Sequence, residues 1–595
     1  MARLNQFVNI TLNNKAVSVP SNYTILQAAT ENKIFIPRLC FFKDLNENAS
    51  CRLCVVEIEG IRTLKNSCTV KVSEGMAVKT NTPRIRLAVK QTLELLAANH
   101  RFECWICPRE HNCEFLALLR KYGIPNQMAE AKEFLKKLPV TNDKSDAIVF
   151  DGSKCILCGR CIAACDKLAG TSILDFNERG FVTFVGTAQN YGIEDSGCIY
   201  CGKCIQACPT GAIREKEEMD YVEELLHSEE YYTVVQTAPS VRAALGEEFG
   251  YPIGTNVEGK MYRALKELGF DDITDTNFGA DLTIVEEGTE LLHRVTNLLN
   301  GKPTKLPMFS SCSPGWIRYI ERYYPEFIPH LSSCKSPQQM QGAVIKHYHS
   351  EIIGVPKEKI KVVSIMPCIA KKYEAKRPEM EVDGIRDVDY VITTREFARI
   401  IKRASIDFEN LEDYVPTSPL AQYTGAAVIF GATGGVMEAA LRTVAETLEK
   451  KPLDNVNFNI TRGIDSGIKE ATFQIAGLEV NVAIVHGAVH VPEMMKRIKT
   501  SGKQYHFIEV MACTGGCVNG GGQPIIPAHI AEKIDVRAER AKALYKIDAE
   551  IQVRKSHKNP EITKLYEDFL IEPGGHMSHH ILHTSYSQKS FFSIK

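Results

Sequence analysis

The chain has 595 residues, with 72 acidic against 71 basic side chains, and no apolar run near the ~20 residues that cross a bilayer. That balance argues against a nucleic-acid or anionic-membrane partner, and the length calls for several domains. The stretch Met1 to Gln6 lacks the apolar heart of a secretion signal, so the 20 cysteines are not read as a disulfide scaffold and a soluble cytoplasmic protein is expected. Fifteen of these cysteines precede residue 210 in tight groups, which is ligand spacing.

Residues Phe7 to Val19 alternate apolar and polar about Asn13 and Asn14, predicting a hairpin, and Thr24 caps a predicted helix running to Asn32. Cys40, Cys51, Cys54 and Cys68 follow, with a strand predicted at Val55 to Ile58 directly after the C-x2-C pair. Four thiolates suit either zinc or a [2Fe–2S] cluster. The hairpin, helix and long cysteine loop resemble the β-grasp [2Fe–2S] ferredoxins, over residues 1–84.

A predicted helix, Ile85 to Ala98, leads to His100, Cys104, Cys107 and Cys113. A lone histidine usually packs or faces water, but this one heads three spaced cysteines. One imidazole and three thiolates complete a zinc site or a [4Fe–4S] site, and imidazole brings less negative charge, which raises a cluster's potential. The pattern over 85–128 resembles the histidine-ligated [4Fe–4S] domain of some hydrogenases and of complex-I-type NADH dehydrogenases.

A charged linker, Ala129 to Ala147, opens the third unit, 129–217. In it Cys155, Cys158, Cys161 and Cys165 recur at identical spacing as Cys198, Cys201, Cys204 and Cys208, the last followed by Pro209. Such a run belongs to two-cluster bacterial ferredoxins, in which the fourth cysteine crosses to the other cluster. One [4Fe–4S] cluster should take Cys155, Cys158, Cys161 and Cys208, the other Cys198, Cys201, Cys204 and Cys165. Asp166 stands where the first run would have proline.

From about residue 218 to 595 predicted strands alternate with amphipathic helices: Tyr232 to Gln236, Leu306 to Phe309, Lys361 to Met366, Tyr390 to Thr393, Val480 to Val485 and Tyr505 to Val510, with helices such as Met261 to Leu268 and Val436 to Leu448. The expectation is a multi-domain α+β and α/β chain whose last domain holds largely parallel sheets. Three strands run into cysteine motifs: Ser310 to Trp316 with Cys312, Pro367 to Glu374 with Cys368, and Glu509 to Pro524 with Cys513 and Cys517 among five glycines. Strand carboxyl ends are where such folds hold ligands. A glycine fingerprint for nucleotides is missing, since Phe430 to Gly435 lacks both the P-loop lysine and the G-x-G-x-x-G spacing.

With those motifs the chain resembles the monomeric clostridial-type [FeFe]-hydrogenases over nearly its full length. The second and third motifs match the family in full; the first has Cys312-Ser313 where the family has two cysteines. The resemblance implies a ferredoxin hydrogenase that reversibly reduces protons to H2, with one [2Fe–2S], three accessory [4Fe–4S] clusters and an H-cluster. That cofactor is a [4Fe–4S] cube bridged to a two-iron unit carrying CO, cyanide and azadithiolate, inserted by maturation proteins. Carried over, Cys368, Cys513 and Cys517 ligate the cube, with Cys517 the bridge, and Lys371 bonds a cyanide. Ala238, Pro239 and Ser240 face the other cyanide, while Gln338, Met366, Phe430 and Met511 line the pocket. Cys312 takes the proton-relay place and Ser313 the fourth cube position; a register shift, or Cys334, are the alternatives. The implied relay is Cys312, Glu290, Ser332 and Glu287, with Arg294 near the exit. The helical spacing of Glu287, Glu290 and Arg294 puts them on one face, equally consistent with a solvated surface. A soluble ferredoxin is the implied partner. The competing readings are a sensory or low-activity hydrogenase-like protein and an electron-transfer subunit of a larger NADH-linked complex.

Overall fold

The computed structural model describes residues 6–125, 143–453 and 455–591. The expected linker lies, through residue 142, outside the described residues. Strands Phe7–Leu12 and Lys15–Pro20 pair antiparallel, and the chain reverses at Asn13 and Asn14, both at positive φ. Asparagine tolerates that conformation better than most side chains. These strands join Ala77–Lys79, Val55–Ile58 and Lys65–Asn66 in a five-stranded sheet, against which helix Ile25–Glu31 packs its apolar face. Thr24 and Gln27 close a reciprocal capping box at that helix start.

Helix Pro83–Ala98 starts with a Thr82 cap and a first-turn proline, and delivers His100 just past its end. The two cysteine runs fold alike. In each, a left-handed glycine, Gly159 or Gly202, precedes a short helix, Arg160–Lys167 or Lys203–Ala207. Buried arginines tie these units together. Arg160 forms two bonds to the Glu114 carboxylate, at 2.8 and 3.1 Å, and also donates to the carbonyls of Cys40 and Phe41. Arg318 donates to the carbonyls of Cys198 and Glu194 and lies over the rings of Tyr200 and Tyr373. Each guanidinium thereby recovers in donated bonds what it loses in hydration.

The C-terminal region is built on two four-stranded sheets. One orders Asp272–Asp275, Tyr232–Thr237, Ile360–Met366 and Tyr390–Thr393, all parallel. The other orders Met308–Phe309, Phe507–Met511, Leu478–His486 and Ile468–Ile475, parallel except for the last hairpin. The strand expected over 306–309 shortens to two residues, because Pro307 has no N–H to give the ladder. Two strands escape the pattern reading. Asp272–Asp275 is mostly polar, its Thr274 hydroxyl bonded to the Val235 carbonyl and its Asp275 carboxylate held by buried Arg242. Ile468–Ile475 lies on the outer edge and carries little apolar alternation.

The end of the chain is a strap. Helix His576–Leu582 packs on the core, Lys335 N donates to Leu582 O and Thr584 N to Ser333 O at 2.8 Å each, and Phe591 meets the Tyr323 ring edge-on. At the opposite seam the glycine loop of the third motif lies directly on the second cysteine run. A Cβ on Gly521 would sit 2.4 Å from the Cys201 carbonyl oxygen and 2.8 Å from Gly202 Cα. Both neighbours are backbone and cannot swing aside. Gly521→Ala is therefore expected to lose about 1–3 kcal/mol of stability, read as a lowered unfolding midpoint in anaerobic thermal melts; an unshifted midpoint would refute this packing.

Candidate active site and electron path

The carboxyl ends of the two sheets face a shared cavity of about 80 Å³. Strand Ile360–Met366 hands over to Cys368, strand Phe507–Met511 to Cys513 and Cys517, and strand Tyr232–Thr237 to Ala238 and Pro239. Cys312, Ser313, Gln338, Met366, Lys371, Phe430 and Met511 complete the wall. Organic ligands commonly occupy cavities of roughly 300–1,000 Å³, so this one suits a small inorganic group. Ser240 stands behind the wall: its carbonyl accepts from Gln523 Nε2 at 2.9 Å, and its buried hydroxyl has no partner.

The thiols converge. Burial, then the neighbouring Cys513 and Cys517, drives the Cys368 thiol upward; burial and Cys513 push Cys517 up to about 12. Thiols held protonated this firmly become thiolates only against strong positive charge, which an iron cluster supplies. The donor set, the apolar lining and the buried, unpartnered Gln338 Oε1 all fit a cluster carrying small polar ligands. Cys334 is not part of this wall. Of the first-motif pair, burial and then the charges of Glu287 and Cys517 raise the Cys312 thiol, while the Ser313 hydroxyl accepts from Ala512 N at 3.4 Å.

Two carboxylates within the motifs have no role in the sequence reading, and both organise the wall. Glu374 accepts from Lys371 Nζ at 2.8 Å, from Ser336 Oγ at 2.9 Å and from Gln338 Nε2 at 3.1 Å. Lys371 spends its other donors on Ser336 Oγ and the Cys312 carbonyl, at 2.7 and 3.2 Å. Glu509 accepts from Gly434 N and Met437 N at 2.7 and 2.8 Å, at the amino end of helix Gly435–Glu449, where the dipole favours an anion. Burial still pushes its carboxyl up to about 7. The signal that could have found both is a glutamate inside each of two strand-end cysteine motifs, where no other acidic residue stands.

The relay residues lie near one another, with Arg294, Glu290 and Ser332 joined by hydrogen bonds, but the two glutamates stand in the reverse of the expected order. Glu290, not Glu287, is outermost: Arg294 donates to it at 2.6 Å and Ser332 Oγ at 2.9 Å. Glu287 is the inner group, fully buried beside Cys312. Helix Thr276–Leu299 explains the inversion, since its N-terminal part is buried and its C-terminal part emerges to solvent. Neither Glu287 carboxylate oxygen has a hydrogen bond of normal geometry, although Ser332 and Ser311 lie close enough to favour its charge. Burial, then the Glu290 charge, pushes Glu287 up to about 8.

The other cysteines form four sets. Cys40, Cys51, Cys54 and Cys68 are all buried, with Cys54 and Cys68 sulfurs 3.3 Å apart. A hydrogen bond from Cys51 lowers Cys40 to about 5. His100, Cys104, Cys107 and Cys113 share one small cavity; the His100 Nδ1 is buried without a partner, and burial lowers its ring to about 4, leaving it neutral as a ligand must be. Cys158 and Cys161 both feel Cys155 and Cys208, and Cys204 feels Cys201, Cys198 and Cys165 before the more weakly acting Cys208. Asn46, Asn48 and Ser50 of the first set's loop all donate to the Cys158 carbonyl. Arg109 of the second set donates to the Cys208 carbonyl at 3.0 Å. At the far side Cys201 itself lines the catalytic cavity, and burial, then the charge of Cys513, raises its thiol. A cleft of about 530 Å³ lies elsewhere, between Phe42 to Leu45 and Ile534 to Arg537, and no thiol lines it.

Comparison with known proteins accords with this arrangement. Residues 231–521 match the family described as the iron only hydrogenase large subunit, C-terminal domain, and 534–589 the iron hydrogenase small subunit. Residues 5–83 match a 2Fe-2S iron-sulfur cluster binding domain, 90–127 the NADH-ubiquinone oxidoreductase-G iron-sulfur binding region, and 154–212 a 4Fe-4S dicluster domain. The chain is 44% identical to iron hydrogenase 1 of Clostridium pasteurianum, over 97% of this chain and 100% of that one. It is equally 44% identical to the NADP-reducing hydrogenase subunit HndD of Solidesulfovibrio fructosivorans, over 98% and 99%. A solved structure of a variant of the [FeFe]-hydrogenase HydA1 from Chlamydomonas reinhardtii superposes with a TM-score of 0.55 at 37% identity, covering 62% of this chain and 98% of its own. The chain belongs to the clostridial-type iron-only hydrogenase family and is an oxidoreductase of hydrogen metabolism.

Proposed function

We propose that the chain interconverts H2 with two protons and two electrons, taking electrons from a reduced ferredoxin in the cytoplasm. The observation that carries this reading is Cys201, an accessory cysteine in the wall of the cavity that also holds Cys368, Cys513 and Cys517. The units are those of the cysteine sets: 1–84 for a [2Fe–2S] cluster, 85–128 for a histidine-ligated [4Fe–4S] cluster, 129–217 for two more and 218–595 for the H-cluster. Both outer sets abut the Cys155 run, and the wire is therefore forked: either outer cluster can feed the ferredoxin pair. Among the described residues no helix is long and apolar enough to cross a membrane.

When bound, the H-cluster supplies the open iron site and the amine base at which the H–H bond is made or broken. The chain's own residues do the rest. Cys368, Cys513 and Cys517 would hold the cube, Ser313 would offer a fourth ligand harder than thiolate, and maturation proteins would deliver the two-iron unit. Lys371 would exchange its longest bond, to the Cys312 carbonyl, for a cyanide. Protons move from solvent at Arg294 through Glu290, Ser332 and Glu287 to the Cys312 thiol. Glu287 with a pKa of about 8 suits this task near neutral pH, being mostly protonated yet able to give its proton up. A second reading rests on the relative HndD, whose name makes it a subunit of an NADP-reducing enzyme: on that reading this chain works beside a nucleotide-binding partner instead of alone with ferredoxin.

The test is anaerobic purification after co-expression with maturation proteins, measuring H2 evolution with reduced ferredoxin and with NADPH, alongside the infrared bands of CO and cyanide. Ferredoxin-driven turnover supports the main reading; NADPH-driven turnover with a co-purifying chain supports the second; absence of the bands would sink both. Glu290→Gln is expected to cut turnover at least about 100-fold with the bands retained. Glu287→Gln has a pH signature. The carboxyl's ordinary value, near 4.5, rises to about 8 on folding, so between these pH values only the folded state keeps the proton and wild-type stability falls as pH rises. The variant lacks that titration. Its melting temperature relative to wild type should climb from pH 5 to pH 8 and level off above; a difference independent of pH would refute the buried, protonated carboxyl.

A further inference from the structure

Six lysines are buried among the described residues: Lys154, Lys203, Lys335, Lys346, Lys371 and Lys372. Five of them face a carboxylate. Lys335 pairs with Asp387 at 2.7 Å, Lys371 with Glu374 at 2.8 Å, Lys346 with Asp389 at 2.9 Å, Lys372 with Glu396 at 3.1 Å and Lys154 with Glu103 at 3.4 Å. Lys203 alone has no ion pair among the described residues; its nitrogen donates to Gln206 Oε1 at 2.8 Å and to the Asn519 carbonyl. Neutral acceptors do not balance a charge, and a buried ammonium without a counter-charge is strongly destabilising. The position therefore calls for an anion.

The thiol sets on either side supply it. Lys203 stands between Cys201 and Cys204 in the second cysteine run, and its nitrogen reaches across the seam to the loop that carries Cys513 and Cys517. Burial opposes its charge, the thiols of Cys513 and Cys201 favour it, Arg540 opposes it, and Cys368 favours it. Those three thiols belong to two different metal sets. The backbone amide of Lys203 also favours the Cys201 thiolate. Gln206, which accepts from Lys203, donates in turn to Gly520 O at 2.8 Å, so the ammonium is fixed to both backbones of the seam. Arg318 acts on Cys198, and Lys371 acts on Cys368 and Cys517, each within one set. Lys203 feels thiols of both.

We infer that the counter-charge of Lys203 is the pair of clusters themselves, and that its ammonium raises the reduction potentials of the cluster on Cys198, Cys201, Cys204 and Cys165 and of the cube together. The inference rests on the assignment of these thiols to two clusters. A cluster held by thiolates carries net negative charge, and reduction adds one unit more, so a fixed cation nearby favours the reduced form. A cation shared by donor and acceptor favours the electron on either without setting one above the other. Lys203 is in this sense a positioning residue for the electron step across the seam, which it leaves free to run both ways.

The experiment is an anaerobic redox titration of the matured holoenzyme, with the accessory clusters followed by electron paramagnetic resonance and the H-cluster by its infrared bands. Two variants remove the charge by different routes: Lys203→Met deletes it, and Gln206→Glu supplies the missing carboxylate beside the Lys203 nitrogen. Each should lower both midpoints, making reduction at least about tenfold less favourable at each cluster, which is about 59 mV for one electron. The midpoint of the Cys40 set, beyond the Cys155 run, should not move. Midpoints unmoved in both variants, or moved at one of the two clusters alone, overturn the inference. So does a Lys203→Met chain that fails to load its clusters while Gln206→Glu keeps wild-type midpoints, since Lys203 then only holds the loop. Wild-type protein without the cluster signals would sink the assignment of the thiols and this inference with it.

Discussion

The close approach of Gly521 to the Cys201 carbonyl sets the geometry on which the rest depends. Two backbones touch there without side chains between them, and polar bonds hold them in place: Gln206 Nε2 donates to Gly520 O at 2.8 Å, and Lys203 Nζ to Asn519 O. Lys203 is buried among the thiols, so its charge serves the thiolates on either side as well as the loop. A single methyl group at the seam would separate the two metal-binding halves of the molecule, and electron tunnelling weakens steeply with distance. Glycine at both Gly202 and Gly521 is thus a requirement of conduction as much as of folding.

The cavity poses a desolvation problem that the motifs solve among themselves. Lys371 and Glu374 are buried together, and a buried pair is tolerable only when its remaining donors and acceptors are filled. Ser336, Gln338 and the Cys312 carbonyl fill them. Glu509 has no cation and instead takes two amides at a helix start. Glu287 alone among these acids is left without a good partner, and burial with the Glu290 charge raises it to about 8. The contrast separates carboxylates that hold the wall from the one poised to exchange a proton.

Much of this was legible in the residues. The duplicated cysteine run, the three strand-end motifs and the Thr24 cap each have a local cause that spacing exposes. The inverted order of Glu287 and Glu290 was not legible, because a spacing of three places both on one face without saying which end of the helix is buried. Nor was the polar strand Asp272–Asp275, whose stability comes from Arg242 and from partners distant in sequence. Cys334 looked like a spare ligand for the cube; its true neighbours arrive from His583, some 250 residues on, and no local pattern announces that meeting. Ser313 remained ambiguous in sequence because ligand and relay places are adjacent, and only the third dimension put Cys312 beside Glu287.

The strap at the end of the chain has a consequence for assembly. Its grip comes from Lys335, Thr584, Lys589 and Phe591, all far from the peptide link that joins it to the third motif. The segment matched by the small-subunit family, 534–589, is thus docked by its own interface, and the covalent link serves to keep its effective concentration high. A chain opened between the third motif and this segment would keep the same contacts as a heterodimer, with affinity in place of connectivity.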